Sequence, residues 1–300
     1  MQRVVTAIGH VGLRVIDLDA CIDHAEEVLG LRVAERAGDE VFLTCGGPHH
    51  ALHLIRDEPA CVDHIGLVAA GPDELERLAR HLADEGIAAT SRAEPRVERS
   101  LVFQGPEGFT FEAYTGMTNV PFDYQTTGIR PRRLGHVNLR VADPDRMAAF
   151  LQRMLGFQVS DVIGDGAAYF LRCNHDHHGV AVTGGPAKLH HYAWEVRDVS
   201  ELVNLCDLLD VRGVGVLWGP VRHGAGENIA VYHREPSGAV VEHYTDMERI
   251  YDDGRPRSGR WPADDPRWLS RWAPAAPSGL RNLGLPPRPA QGTAGAGGQR

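Results

Sequence analysis

Residues 136–156, HVNLRVADPDRMAAFLQRMLG, hold a strand and a helix in direct succession. In the first six, Val137, Leu139 and Val141 fall on one face and His136, Asn138 and Arg140 on the other, the period-two pattern of a half-buried strand. In the remainder, Met147, Phe150, Leu151, Met154 and Leu155 form one apolar stripe at helical spacing. Asp143 offers a side-chain oxygen to the orphan N–H groups at the start, and Gly156 takes the left-handed turn that stops the helix.

The same unit recurs. Strands of this kind open at His10, His64, His136 and His191, and helical stretches follow over 17–30, 73–86, 143–156 and 200–213. In all four, a glycine (Gly30, Gly86, Gly156, Gly213) lies thirteen positions after Asp17, Asp73, Asp143 or Ser200. Strand-like runs follow at 167–172, 179–183, 228–233 and 239–244, so each unit reads βαβββ. Two units make a domain. The expected fold class is α+β, with four βαβββ modules paired into domains at 1–118 and 130–250 and a linker near PFDYQTTGIRPRR. The tail, 251–300, is rich in Pro, Gly, Arg and Trp, and its end, PPRPAQGTAGAGGQR, is expected to be disordered.

Composition narrows the function. Three hundred residues suit two domains, each with its own core. A net charge of -9 argues against nucleic acid, which calls for a basic face. No apolar run is long enough to span a bilayer, and the start lacks the pattern of a signal peptide. Five scattered cysteines without a CxxC pair point to a reduced, cytoplasmic setting and away from thiol chemistry. The outlying number is 16 histidines, the commonest metal ligands and acid/base side chains.

Three residues stand at matched places in the repeat. His136 and His191 open the first strands of units three and four, and Glu242 lies on the last strand of unit four, on one face with Val240 and Tyr244. Two neutral imidazoles and one carboxylate on neighbouring strands suit a divalent iron site, occupying one face of the ion and leaving the other open. His177 and His190 are expected to point to the opposite strand face, and His175, His233 and His243 to lie on the surface.

The motifs LGHVNLRV, LHHYAWEV and PSGAVVEHY together resemble the type I extradiol ring-cleavage dioxygenases of the vicinal-oxygen-chelate superfamily, of the catechol and homoprotocatechuate 2,3-dioxygenase kind. The resemblance runs through about Tyr251 and is strongest in the second half. It implies two vicinal-oxygen-chelate domains, with Fe(II), or Mn(II) in some members, on His136, His191 and Glu242. It also implies an acid/base role for His178, in FLRCNHDHHGVAVT, and hydrogen bonds to the bound diol from His223, in GPVRHG, and Tyr232, in NIAVYHREPSG. The implied substrates are a catecholic diol and O2, and the implied product is of the 2-hydroxymuconic semialdehyde type. The implied assembly is a homo-oligomer, a tetramer by preference.

The repeat places His10, His64 and Glu112 where the second half has its triad, at offsets of 126, 127 and 130 residues. The matching stretch SRAEPRVERSLVFQGPEG lacks counterparts of His223 and Tyr232, with Val102 at the tyrosine's place. The first domain is therefore expected to have no catalytic role, and whether it binds metal stays open. For the substrate pocket, the resemblance implies Phe170 and Trp218 as walls: where homoprotocatechuate-type enzymes place an arginine before GPxRHG this chain has Trp218, and where they place a tryptophan on the earlier strand it has Phe170. This favours an apolar or neutral ring substituent, while Arg267 and Arg271 in the tail are candidate charges. Two other functions use the same scaffold: a metal-dependent glyoxalase-like isomerase or lyase, and a metal-free small-molecule binding protein. Only the site separates them.

Overall fold

The computed structural model describes residues 3–93, 95–121, 127–251 and 259–289. The first unit runs β1 (Val5–Val15), α1 (Leu18–Glu27), β2 (Arg32–Ala37), β3 (Glu40–Thr44), β4 (Gly47–Pro48) and β5 (Leu52–Arg56). The second runs β6 (Cys61–Ala69), α2 (Pro72–Asp84), β7 (Ala89–Thr90), β8 (Arg99–Gln104) and β9 (Thr110–Thr115), followed by β10 (Asn119–Val120), which pairs with β4. The third comprises β11 (Arg133–Val141), α3 (Pro144–Leu155), β12 (Gln158–Ile163), β13 (Ala168–Arg172) and β14 (Val180–Gly184). The fourth comprises β15 (Lys188–Glu195), α4 (Val199–Val211), β16 (Val216–Arg222), β17 (Ile229–Arg234) and β18 (Val240–Thr245), and the tail adds β19 (Gly259–Trp261).

The first two units share an eight-stranded sheet in the order β2-β3-β5-β1-β6-β9-β8-β7, and the last two share a nine-stranded sheet, β16-β17-β18-β15-β11-β14-β13-β12-β19. At the middle of each, the two opening strands pair antiparallel (β1 with β6, β11 with β15), and each is flanked by the last strand of its own unit, parallel (β5, β9, β14, β18). This is the α+β architecture of paired βαβββ modules that the repeat implies.

All four glycines after the helices take positive φ, between 66° and 75°. The helix starts are less uniform than their spacing suggests. Asp17 and Asp143 cap as expected, accepting from Ala20 N and Arg146 N. At α4 the cap is Asp198, not Ser200, because Asp198 Oδ1 reaches both Ser200 N and Glu201 N. At α2 Gly71 holds the cap position and Pro72 the first turn, where a missing N–H loses nothing. The opening strands also start three to five residues before their histidines, so His10, His64, His136 and His191 sit inside strands rather than at their ends.

One apolar core runs through both halves. On α3, Phe150 packs against Phe103 and Phe111 of the first sheet, at ring-centroid distances of 6.4 and 5.9 Å. Burying such a ring stabilises by about 2–3 kcal/mol. Polar contacts cross as well: Arg212 pairs with Glu27, Arg153 with Glu85, and His24 Nε2 lies 3.1 Å from His233 Nε2. That last contact corrects an expectation. His233 and His243 are fully buried, because β17 and β18 are covered on both faces, whereas His175 is exposed as expected.

The tail is more ordered than its composition suggests. β19 pairs with β12, Trp268 and Leu280 reach the second sheet, and Leu285 bridges to Leu189. Val62 N donates to the Pro286 carbonyl and Arg288 N to the Val62 carbonyl, so 286–288 are strand-paired rather than disordered. Backbone hydrogen bonds that a polar, proline-rich segment cannot make within itself are made here to a waiting strand edge. The rest of the stretch expected to be disordered, from 290 on, lies outside the described residues, as do 122–126 of the linker. Among the described residues no helix is long and apolar enough to cross a membrane.

Candidate metal centre and its cavity

The register of the second sheet builds the site. Trp218 pairs with Tyr232, Tyr232 with Glu242, Glu242 with Ala193, and Ala193 with His136, giving one row across five strands. Cross-strand partners point to the same face, so the row aims its side chains together. Ala193 is the small member that leaves room between His136 and Glu242. His191 joins from two residues up β15, on the same face.

The donor atoms converge. Glu242 Oε2 lies 3.2 Å from His136 Nε2 and 3.0 Å from His191 Nε2, and all three residues are buried. Burial alone would push the Glu242 carboxyl up, but the two imidazoles against it hold it well below the usual carboxylate range. Asn228 Nδ2 donates to its other oxygen, Oε1, at 3.0 Å and fixes the plane of the carboxylate.

Hydrogen bonds also set the histidine tautomer. His190 Nε2 donates to the Leu280 carbonyl at 3.0 Å, and burial lowers its pKa to about 3, so its Nδ1 is an acceptor. His191 Nδ1, 2.8 Å away, must then be the donor, which leaves the His191 Nε2 lone pair facing Glu242 and the cavity. Two imidazole nitrogens, each about 3 Å from one carboxylate oxygen and all within 4.8 Å of one another, are a donor set that suits one face of a divalent first-row ion, with bonds of roughly 2.0–2.2 Å. The residues present fit such an ion.

Around this floor lies a cavity of about 690 Å³. His178 packs its ring 4.5 Å from that of His136, and burial lowers its pKa well below the ordinary histidine value. Its Nδ1 lies 3.1 Å from His177 Nδ1, whose Nε2 is 3.4 Å from Asp161. On the other side, His223 Nδ1 donates to the Leu269 carbonyl at 2.5 Å, so its Nε2 accepts from the Tyr232 hydroxyl at 2.7 Å. Burial raises the Tyr232 pKa well above 10 and keeps the phenol protonated. Trp218 stacks on Tyr232 with centroids 5.5 Å apart, and its Nε1 donates to the Pro274 carbonyl.

All eight site residues expected from the sequence (His136, His178, His191, His223, Tyr232, Glu242, Phe170 and Trp218) therefore line one cavity. Two expectations fail. His190 lines the cavity instead of turning away, because a register shift in the β11–β15 pairing between Asn138 and Leu139 breaks strict alternation there. Arg267 and Arg271 pair with Asp265 and Glu227 and are not among the lining residues; the cations at the rim are Arg140 and Arg281. Arg140 was legible, since it shares the strand face of His136 and Asn138. Arg281, Trp268 and Leu280 come from the tail, where no periodicity marks them. Asn228 gave one faint signal, a polar residue opening a strand run that is otherwise apolar.

The family model described as the Glyoxalase/Bleomycin resistance protein/Dioxygenase superfamily matches residues 7–113 and 133–243, one match per sheet. The chain belongs to this superfamily. Within it, the chain is 27% identical over 283 residues to the manganese-dependent 2,3-dihydroxybiphenyl 1,2-dioxygenase of Geobacillus genomosp. 3, covering 84% of this chain and 89% of the relative. Among solved structures, it is similar to the Mn(II)-bound glyoxalase from Novosphingobium aromaticivorans, with a TM-score of 0.84 and 28% identity over 92% of this chain and 94% of the other. The homoprotocatechuate 2,3-dioxygenase from Arthrobacter globiformis shares the superfamily fold, with a TM-score of 0.86 at 23% identity over 96% of each chain.

Proposed function

We propose that the protein is an extradiol dioxygenase that opens a catecholic ring beside its diol with O2, at a non-haem Fe(II) or Mn(II) centre on His136, His191 and Glu242. The observation that carries this reading is the company the triad keeps. Three convergent metal donors form the floor of a mostly apolar cavity, with His178 on one side and the His223–Tyr232 pair on the other.

When bound, the divalent ion supplies Lewis acidity that favours the ionised diol, and open positions for diol and dioxygen. His178, neutral at working pH because of its burial, accepts a proton from the entering diol and returns it as the ring opens. The hydrogen-bonded pair of His223 Nε2 and Tyr232 Oη orients the second diol oxygen and can pass a proton between ring nitrogen and phenol. The tail residues Trp268, Leu269 and Leu280 line one side of the cavity and add apolar surface against the ring. The ring carbon–carbon bond beside the diol breaks, and both atoms of O2 are retained in the product. The semialdehyde therefore has the atoms of the catechol plus those of O2, with no hydrogen gained or lost, and no further reductant is needed.

The walls favour an apolar or neutral ring substituent. Phe170, Ala181, Trp218, Trp268 and Leu280 line the cavity, and the Trp218 N–H is already engaged. At the rim, Arg140 directs its N–H groups to the carbonyls of Arg281 and Gly184. 3-Methylcatechol is therefore expected to turn over at least as well as homoprotocatechuate. A large excess for homoprotocatechuate would overturn the substituent assignment. We further assign a cytoplasmic location, supported by five free cysteines, and a homo-oligomer, a tetramer by preference, which light scattering checks.

The deciding experiment is anaerobic loading with Fe(II), then oxygen uptake and visible absorbance with a panel of catechols. Stoichiometric uptake with a yellow product, lost in His191→Ala and Glu242→Gln, supports the reading. Metal binding with neither uptake nor colour would sink it in favour of an isomerase, which works without oxygen.

A further inference from the structure

The first sheet repeats the register of the second. Val102 pairs with Glu112, Glu112 with Gly66, and Gly66 with His10, the row that in the second sheet reads Tyr232, Glu242, Ala193 and His136. His64 pairs with Gly12 as His191 pairs with Asn138. The two glycines are where the rings lie: a Cβ on Gly66 would meet the His10 ring at 2.3 Å, and one on Gly12 would meet the His64 ring at 2.3 Å. His10 Nε2 and His64 Nε2 are 2.9 Å apart, and Glu112 Oε2 lies 3.6 and 3.4 Å from them.

Two features separate this cluster from an ordinary buried polar group. First, His10, His64 and Glu112 are wholly buried, and the Glu112 carboxylate is only loosely met, by the two imidazoles at 3.4 and 3.6 Å and by the Ser100 side chain, with neither oxygen in a well-formed hydrogen bond. A carboxylate left so in a protein interior is strongly destabilising unless a cation compensates it. Second, the outer contacts are those of a metal-binding histidine. Asp63 Oδ2 lies 2.8 Å from His64 Nδ1, and Arg14 Nε donates to Asp63 Oδ1 at 2.7 Å. An acid held by an arginine takes the Nδ1 proton of His64 as its donor, so the His64 Nε2 lone pair faces His10 and Glu112. Arg288 of the tail also reaches Asp63, at 3.4 Å.

We propose that His10, His64 and Glu112 hold a second divalent transition-metal ion, enclosed by the first sheet and taking no part in turnover. Val102 stands where the second half has Tyr232, so the register position that carries the phenol there holds a valine here. The two sites have parted: one holds its ion at the floor of the cavity, and the other holds its ion as a clasp between β1, β6 and β9.

The test is the metal content of the full-length protein, loaded anaerobically with Mn(II), freed of excess ion by gel filtration and measured by plasma mass spectrometry. Two ions per chain are expected in the wild type. One is expected in His191→Ala, which leaves the first site untouched and so decides the matter even where a first-site variant fails to fold. One is expected in Glu112→Gln and in His64→Asn, with ring cleavage retained in both. A wild-type value of one, or a value of zero in His191→Ala, overturns the proposal. So does a Glu112→Gln protein that still holds two. These readouts count ions and do not depend on the dioxygenase reading.

Discussion

Tyr232 is the cross-strand partner of Glu242, so the hydroxyl that engages His223 and the carboxylate that closes the triad leave the sheet at one register position. Carboxylate and phenol are thereby placed by backbone pairing and not by loop conformation. Removing the hydroxyl while keeping the ring tests the phenol alone. Tyr232→Phe keeps the stacking on Trp218 and is expected to lower kcat/KM by roughly 10²-fold, the usual worth of a positioned proton donor. Metal content should not change. Steady-state kinetics beside metal analysis separates this from a loss of the ion.

Asn228 supports the centre at one remove, through Glu242 Oε1. Asn228→Ala leaves that oxygen unpartnered in a closed site. Metal affinity should fall by about 10–100-fold, as for other outer partners of metal ligands. Competition with a calibrated chelator measures it, and an unchanged affinity would remove Asn228 from the account.

Trp268 belongs to the stretch of tail that lines the cavity; its ring centroid lies 6.4 Å from that of Phe170. Trp268→Ala is expected to raise KM for catechols by roughly five- to tenfold while kcat stays within about twofold, since an apolar wall binds ground state and transition state alike. An equal fall in kcat would place the tail in the chemistry itself.

Glu235 gives a pH-dependent stability away from the site. It is buried beside Ser237, whose hydroxyl donates to Oε1 at 2.7 Å, and burial pushes its carboxyl up from 4.5 to about 7. Between those values the folded chain keeps a proton that the unfolded chain has lost. Stability therefore falls as pH rises from about 4.5 to 7 and levels off above, by at most about 3 kcal/mol. Glu235→Gln removes that slope. Urea unfolding at pH 5 and pH 8 should show the variant gaining on the wild type at the higher pH, and a difference independent of pH would refute the assignment.

Much of this site was legible because strands and helices write it into the chain at fixed periods. The four glycines after the helices gave the repeat, the repeat gave the strands, and the strand faces gave His136, His191 and Glu242 together. Tyr232 and His223 were legible through quoted motifs, since neither declares its chemistry by spacing. What stayed hidden depended on irregular backbone. His190 turns inward at a register shift, and Leu280 and Trp268 arrive from a tail that has no period to read. His233 and His243 were misplaced for a different reason: a histidine at an outward strand position looks solvated until the half of the chain that covers it, here α1 with His24, is in place.

The five-strand row has a bearing on how such a chain can change over generations. Because side chains alternate along a strand, losing or gaining a single codon within β18 would bring Val241 or His243 to the position of Glu242 and turn the carboxylate away. Point substitutions can drift around the cavity one at a time, whereas length changes within the central strands are all-or-nothing. Lineages of this enzyme should therefore collect their insertions in turns such as 212–215, after α4, and keep the residue count of β11, β15, β17 and β18 constant.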